Sequence, residues 1–236
     1  MNLINKLLLD ENYILDLFLS KVKNNEDLLL TYLNVNCFNI YKENITYQNI
    51  LDNSMIVYPD GIGIWMLLNK FKKKYKRFNA TDLNYKLISL VIKHKIPIII
   101  ISGNYDNELV KQLCKNKSIK LIKYINGFLT DENILEEVSE LTFSCIFIGV
   151  GVPRQELLAV KIKEKYPSSI IICVGNFFNF YFNFQKRAPI ILQKFGLEWL
   201  FRLVIEPKRL FYRYTIGNFK FLLNAFLLSK DEIKQK

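Results

Sequence analysis

Six short runs of apolar, mostly β-branched residues constrain this chain most: 28–33, 55–58, 96–101, 119–124, 145–150 and 170–174. Most are close to continuously apolar rather than alternating, the pattern of strands covered on both faces. Stretches with helical character separate several of them, at 80–94, 107–116, 131–141 and 153–166. Strands alternating with helices predict an α/β fold: a Rossmann-like, mainly parallel sheet with helices on both faces. Ala80-Thr81-Asp82 offers an N-cap, and Pro153 suits a first helical turn. At the start of the chain, Leu3, Leu7, Ile14, Leu17 and Phe18 are spaced for an amphipathic helix.

After about Lys186 the alternation stops. Residues 196–229 read as two helices broken at Glu206-Pro207, which divides the chain into an α/β core at 1–195 and a small helical C-terminal appendage at 196–236. Net charge is +11, and most of the excess lies here: 186–236 carries eleven Lys/Arg against Glu198, Glu206, Asp231 and Glu232. The second helix mixes Lys208, Arg209, Arg213 and Lys220 with Phe211, Tyr212, Tyr214, Phe219 and Phe221. Such a helix either lies on an anionic membrane surface or docks on the core with a solvated basic face.

Other features exclude whole classes of chemistry. No apolar run reaches the roughly 18 residues of a membrane span, and Asp10, Glu11 and Asp16 interrupt the leader-like N-terminus. The expected location is therefore the cytosol. Four scattered cysteines (Cys37, Cys114, Cys145, Cys173) without a CxxC pair predict buried free thiols, not a zinc site. One histidine, Lys-flanked His94, leaves little scope for a nucleophile–histidine pair and reads as a surface residue. GxGxxG, GxxxxGK[ST] and DxD are absent, so neither a dinucleotide fingerprint nor the commonest metal-diphosphate anchor is present.

Ligands of open parallel sheets bind beyond the carboxyl ends of the strands, and three such ends stand out. At Tyr58-Pro59-Asp60-Gly61-Ile62-Gly63, Asp60 could take a proton from an attacking hydroxyl, or could simply cap the next helix. Ser102-Gly103-Asn104 is either a phosphate-facing turn or an ordinary strand–helix turn. Gly149-Val150-Gly151-Val152-Pro153-Arg154-Gln155 opens a helix whose dipole favours an anion, or is a Gly-rich turn with a surface arginine.

In this order the strand ends resemble the WecG/TagA/CpsF glycosyltransferase family. The resemblance is carried by YPDGIGI (58–64), R-x-x-A-T-D-L (77–83), ISGNYDNE (101–108), NGF (126–128) and IGVGVPRQE (148–156), then VGNFFNF (174–180), KRAP (186–189) and GLEWLFRLVIEPKRLFYRYTIGN (196–218). It implies inverting transfer, without metal or cofactor, from a UDP-sugar to a polyprenyl-diphosphate-linked sugar, with the protein peripheral on the inner membrane face. By the same resemblance Asp60 is the general base, with Asn34 and Gln155 in the same pocket. Arg77 binds phosphate, and Gly61, Gly103, Asn104, Gly149 and Gly151 border the substrates. Arg202, Arg209 and Arg213 fold over the site while the aromatic helix face meets lipid. The chain departs from the family pattern at Tyr32, where a threonine is usual, at Ala80, at Asn179 (F-N-F for F-D-F), and at Asn183 in place of a glycine.

Two rivals remain. A nucleic-acid-binding protein would also be basic and aromatic, but its cations would line a groove, so no nucleic-acid partner is expected. An inactive scaffold in a polysaccharide assembly complex is the other. The sequence leaves self-association into a homo-oligomer open.

Overall fold

The computed structural model describes residues 3–71, 73, 75–138, 144–167 and 169–228. The chain begins with α1 (Leu3–Lys6) and α2 (Glu11–Lys23), then β1 (Leu28–Leu33), α3 (Val35–Glu43), α4 (Ile45–Asn53) and β2 (Ile56–Pro59). Next come α5 (Gly61–Lys70), α6 (Ala80–Lys93), β3 (Ile98–Ser102), α7 (Asn107–Asn116), β4 (Leu121–Asn126) and α8 (Asp131–Glu137). After β5 (Cys145–Gly149), α9 (Arg154–Lys165) and β6 (Ile170–Cys173), the rest is helical: α10 (Phe177–Tyr181), α11 (Ile190–Lys194), α12 (Glu198–Ile205), α13 (Pro207–Tyr214) and α14 (Ile216–Leu227).

The six strands form one all-parallel sheet in the order β2-β1-β6-β5-β3-β4. Every residue of β1, β3 and β6 is buried, which requires cover on both faces and accounts for their unbroken apolar runs. Edge strand β4, by contrast, exposes Ile122 and Lys123. Because all strands run the same way, their carboxyl ends share one rim. Those of β1 and β2 stand together at one side, those of β5 and β3 at the other, and β6 lies between.

Several boundaries differ from expectation for local reasons. The N-terminal helix is two helices, because the Asp10 carboxylate accepts from the N–H groups of Asn12 and Tyr13 and starts α2 afresh. Asn79, not the following tripeptide, caps α6 through a bond from Thr81 N at 2.7 Å. Pro153, after a cis peptide bond with Val152, stands one residue before α9. Strand β4 begins two residues late because the Ile119 N–H closes the end of α7 on Cys114 O. Helix α8 ends at Glu137, and the remainder of the expected 131–141 helix lies partly outside the described residues. All four thiols are free and buried, and His94 is exposed at the end of α6. Asn183 adopts a left-handed φ of 61°.

The C-terminal region forms three helices rather than two, and its last residues, 229–236, lie outside the described residues. The extra break falls at Thr215, whose hydroxyl donates to Phe211 O at 2.6 Å and bends the chain. Helix α14 docks on α3: Phe221 meets Phe38 edge-on at 5.4 Å, Asn39 Nδ2 donates to Gly217 O at 2.7 Å, and Lys220 pairs with Glu43. From α5, Lys70 Nζ reaches Ala225 O at 2.6 Å.

Candidate active site

Strands β1 and β2 pair Leu33 with Pro59, so the residues that follow, Asn34 and Asp60, leave the sheet side by side. The Asp60 N–H donates to Leu33 O at 2.8 Å, which fixes the spacing. Asn34 caps α3, its Oδ1 accepting from Cys37 N at 3.1 Å. Asp60 occupies the corresponding position before α5 yet makes no cap bond there. Its Oδ1 instead accepts from Ala80 N at 2.9 Å, at the start of α6. This aspartate therefore does not cap α5; its carboxylate holds the first N–H of α6 instead. Burial raises the Asp60 carboxyl above the usual carboxylate range; Glu198 adds to the rise, while the Ala80 N–H, the Asn34 amide and the Arg213 charge oppose it.

Asp60 stands in the wall of a cavity of about 610 Å³. Its inner side comes from the strand ends: Asn34, Val35, Asp60, Gly61 and Gly63. Its outer side comes from the C-terminal helices, through Glu198, Trp199, Arg202, Arg213, Tyr214 and Phe221. Gly61 is required by its backbone, at φ +80°, whereas a Cβ on Gly63 would lie 2.4 Å from the Val35 side chain where α5 crosses α3. The Nε atoms of Arg202 and Arg213 are buried without a hydrogen-bond partner. Arg77 also lines the cavity, but its Nη2 donates to the carbonyls of Gln193 and Lys194 at 3.0 and 2.8 Å and holds the end of α11.

The other expected site residues lie elsewhere. Gly103, Asn104, Gly149 and Gly151 are on the β5–β3 side of the rim and do not line the Asp60 cavity. There the backbones touch: a Cβ on Gly149 would come within 2.4 Å of Gly175 O, and one on Gly127 within 3.1 Å of the Ser102 carbonyl carbon. Gly151, at φ +89°, faces open space, and Asn104 Oδ1 accepts from Asn126 Nδ2 at 2.8 Å. Arg209 points outward and pairs with Glu206. Arg154 is held by Asp131 and by the carbonyls of Gly127 and Leu129.

Gln155 was expected in the same pocket as Asp60, and the structure places it behind the wall, fully buried. Its amide is occupied internally: Oε1 accepts from Gly175 N at 3.1 Å and Nε2 donates to Glu156 Oε1 at 2.7 Å. Glu156 is also fully buried, and its Oε1 accepts from Thr31 Oγ1 at 2.8 Å while Oε2 has no partner. Burial pushes its carboxyl up to about 7 against those two hydrogen bonds. This group was quoted in the sequence motif without a role, because nothing in a helix-start Gln-Glu pair signals that both side chains point inward. Trp199 was equally silent, whereas Phe221, expected on the aromatic helix face, is instead buried against Phe38 and lines the cavity. Among the described residues no three His, Cys, Asp or Glu side chains converge as a metal site would need.

The profile of the glycosyl transferase WecG/TagA/CpsF family matches residues 4–235. The chain belongs to this family. Among relatives of the family, one from Bacillus subtilis (strain 168) is named N-acetylglucosaminyldiphosphoundecaprenol N-acetyl-beta-D-mannosaminyltransferase; it is 25% identical over 168 residues, 69% of this chain and 66% of the relative. The enzyme of the same name from Bacillus spizizenii is 24% identical over 172 residues, 71% of this chain and 67% of its own length. The matched region therefore spans about two thirds of these relatives. Of the 21 exposed large apolar residues among those described, 14 lie between Ile190 and Leu227. No helix among the described residues is long and apolar enough to cross a membrane.

Proposed function

We propose that this chain transfers an N-acetylmannosamine-like sugar from a UDP-sugar to a sugar carried on a polyprenyl diphosphate, in cell-surface polysaccharide or teichoic acid synthesis. The observation that carries this reading is the Asp60 carboxylate, half-committed to Ala80 N and facing a cavity that also holds two incompletely bonded arginines. The relatives' printed names supply the acceptor and sugar class.

In this reading the ionised Asp60 accepts the proton of the acceptor hydroxyl as its oxygen attacks the anomeric carbon. The bond from that carbon to UDP breaks on the opposite face, and the electron pair leaves with the diphosphate, so configuration inverts. A carboxylate made more basic by burial is a better proton acceptor than one in water. Arg202 and Arg213, whose Nε donors are unpartnered, stabilise the departing or the acceptor diphosphate. Gly103, Asn104, Gly149 and Gly151 border the UDP moiety. Gln155 acts indirectly, by holding the Gly175 turn between the two halves of the rim.

The C-terminal helices, taken as a distinct appendage from residue 196, serve two faces at once. Their inner face lines the cavity, and their exposed side carries Phe211, Tyr212 and Phe219 beside Lys208 and Arg209. That combination suits an anionic bilayer surface, where the acceptor's lipid resides.

UDP release tests the reading, measured in EDTA over a panel of UDP-sugars with and without polyprenyl-diphosphate-linked N-acetylglucosamine. Acceptor-dependent release with one donor is the expected result. Folded protein that neither releases nor binds UDP would overturn it and favour the scaffold.

A further inference from the structure

A line of side chains runs from the turn after β3 to the break between α12 and α13. Tyr105 OH donates to Asn179 Oδ1 at 2.9 Å, and Asn179 Nδ2 donates to Asn176 Oδ1. Asn176 Nδ2 donates to Gln185 Oε1 at 2.5 Å, and Gln185 Nε2 donates to Glu206 Oε1. Glu206 Oε2 accepts from Arg209 Nε at 2.5 Å. All members are at least partly buried except Arg209.

The polarity of this line is set by its end. A carboxylate only accepts, so Gln185 must turn its NH₂ to Glu206 and its oxygen to Asn176. Asn176 must then give its NH₂ to Gln185 and present its oxygen to residue 179. Residue 179 must therefore carry a donor, which Asn179 has and an aspartate lacks. The asparagine that departs from the family's F-D-F is the residue this line requires.

What the line holds is the cavity's outer wall. The Glu206 N–H closes α12 on Arg202 O at 2.9 Å, so fixing Glu206 fixes the turn that bears Arg202. The same short helix α10 supports the Arg202 side chain, with its guanidinium carbon 5.7 Å from the Phe180 ring centre. We propose that Asn176, Asn179 and Gln185 are positioning residues, an amide strut of fixed polarity that seats α12 and its Arg202 over the Asp60 cavity. That Arg202 there meets a diphosphate rests on the function proposed above; the strut itself does not.

The test is a double-mutant cycle in the full-length chain, read by amide hydrogen exchange across 198–214. With Glu206 present, Asn179→Asp opposes two acceptors at one joint however the amides are turned. It should speed exchange about tenfold, the scale of one hydrogen bond to a charged group. Glu206→Gln alone can still accept from Gln185 and should change little. Combined, Asn179→Asp/Glu206→Gln lets every amide reverse and rebuilds the line in the opposite sense, returning exchange to within about twofold of the parent. Unchanged exchange in Asn179→Asp, or no recovery in the pair, would overturn the strut. UDP release by the same four proteins should follow the exchange. If exchange behaves as described while no protein releases UDP, the strut stands and the proposed activity falls.

Discussion

Glu156 offers a sharp test of how this core is held together. Its carboxyl is buried against Thr31 and Gln155, and its charge is felt by Tyr32, Cys37, Tyr47 and Cys173. Burial raises it to about 7 from an ordinary 4.5. Between those values the folded chain keeps a proton that the unfolded chain has released. Stability from this site is therefore full below pH 4.5 and falls as pH rises, by about 1.4 kcal/mol per unit, until the folded carboxyl ionises near 7. Glu156→Gln removes the titration while its Oε1 can still accept from Thr31 and Gln155. Urea unfolding of parent and variant at pH 5 and pH 8 isolates the effect, since every other titrating group is common to both. The variant should gain on the parent by about 2 to 3 kcal/mol between the two pH values. An equal difference at pH 5 and pH 8 would refute the account of a buried, proton-retaining carboxyl.

Three other results are expected. Asp60→Asn should cut turnover by about 10² to 10⁴ with UDP binding intact, and the parent's kcat/KM should fall on acidification through a limb above the ordinary carboxylate value of 3.8; parent-like turnover in the variant would remove Asp60 from the mechanism. Gly149→Ala places a Cβ 2.4 Å from the Gly175 carbonyl oxygen and should cost about 1–3 kcal/mol in urea unfolding, whereas an unshifted midpoint would contradict that backbone contact. A chain ending at Phe195 should lose co-sedimentation with anionic liposomes, and undiminished sedimentation would place membrane binding elsewhere.

The sheet was legible because its strands are buried on both faces and so carry continuous apolar runs that survive without knowledge of their neighbours. The Asp60 strand end was legible too, but the adjacency of Asn34 and Asp60 depends on β1 lying beside β2, which no local pattern states. Gln155 was expected in the Asp60 pocket from the family motif alone, and a position at a helix start does not state where its side chain turns. Its burial is decided by Thr31 and Glu156, 125 positions apart, meeting through one carboxylate. The kink at Thr215 was missed because a threonine is compatible with a helix until its hydroxyl takes the carbonyl four residues back. Arg209 and Arg202 looked equivalent in sequence, and only the docking of the helices turns one outward and the other into the cavity.

The crowding of bare backbone along the β5–β3 rim has a bearing on how such a protein can change. Gly149, Gly127 and Gly175 leave no room for side chains where the strands end, so the floor of that rim is closed to substitution. Side chains there can vary only in groups that stand outward from it, chiefly Asn104 and Phe128, both exposed. A lineage built on this sheet can thus change its rim at a few peripheral positions while the scaffold beneath remains frozen.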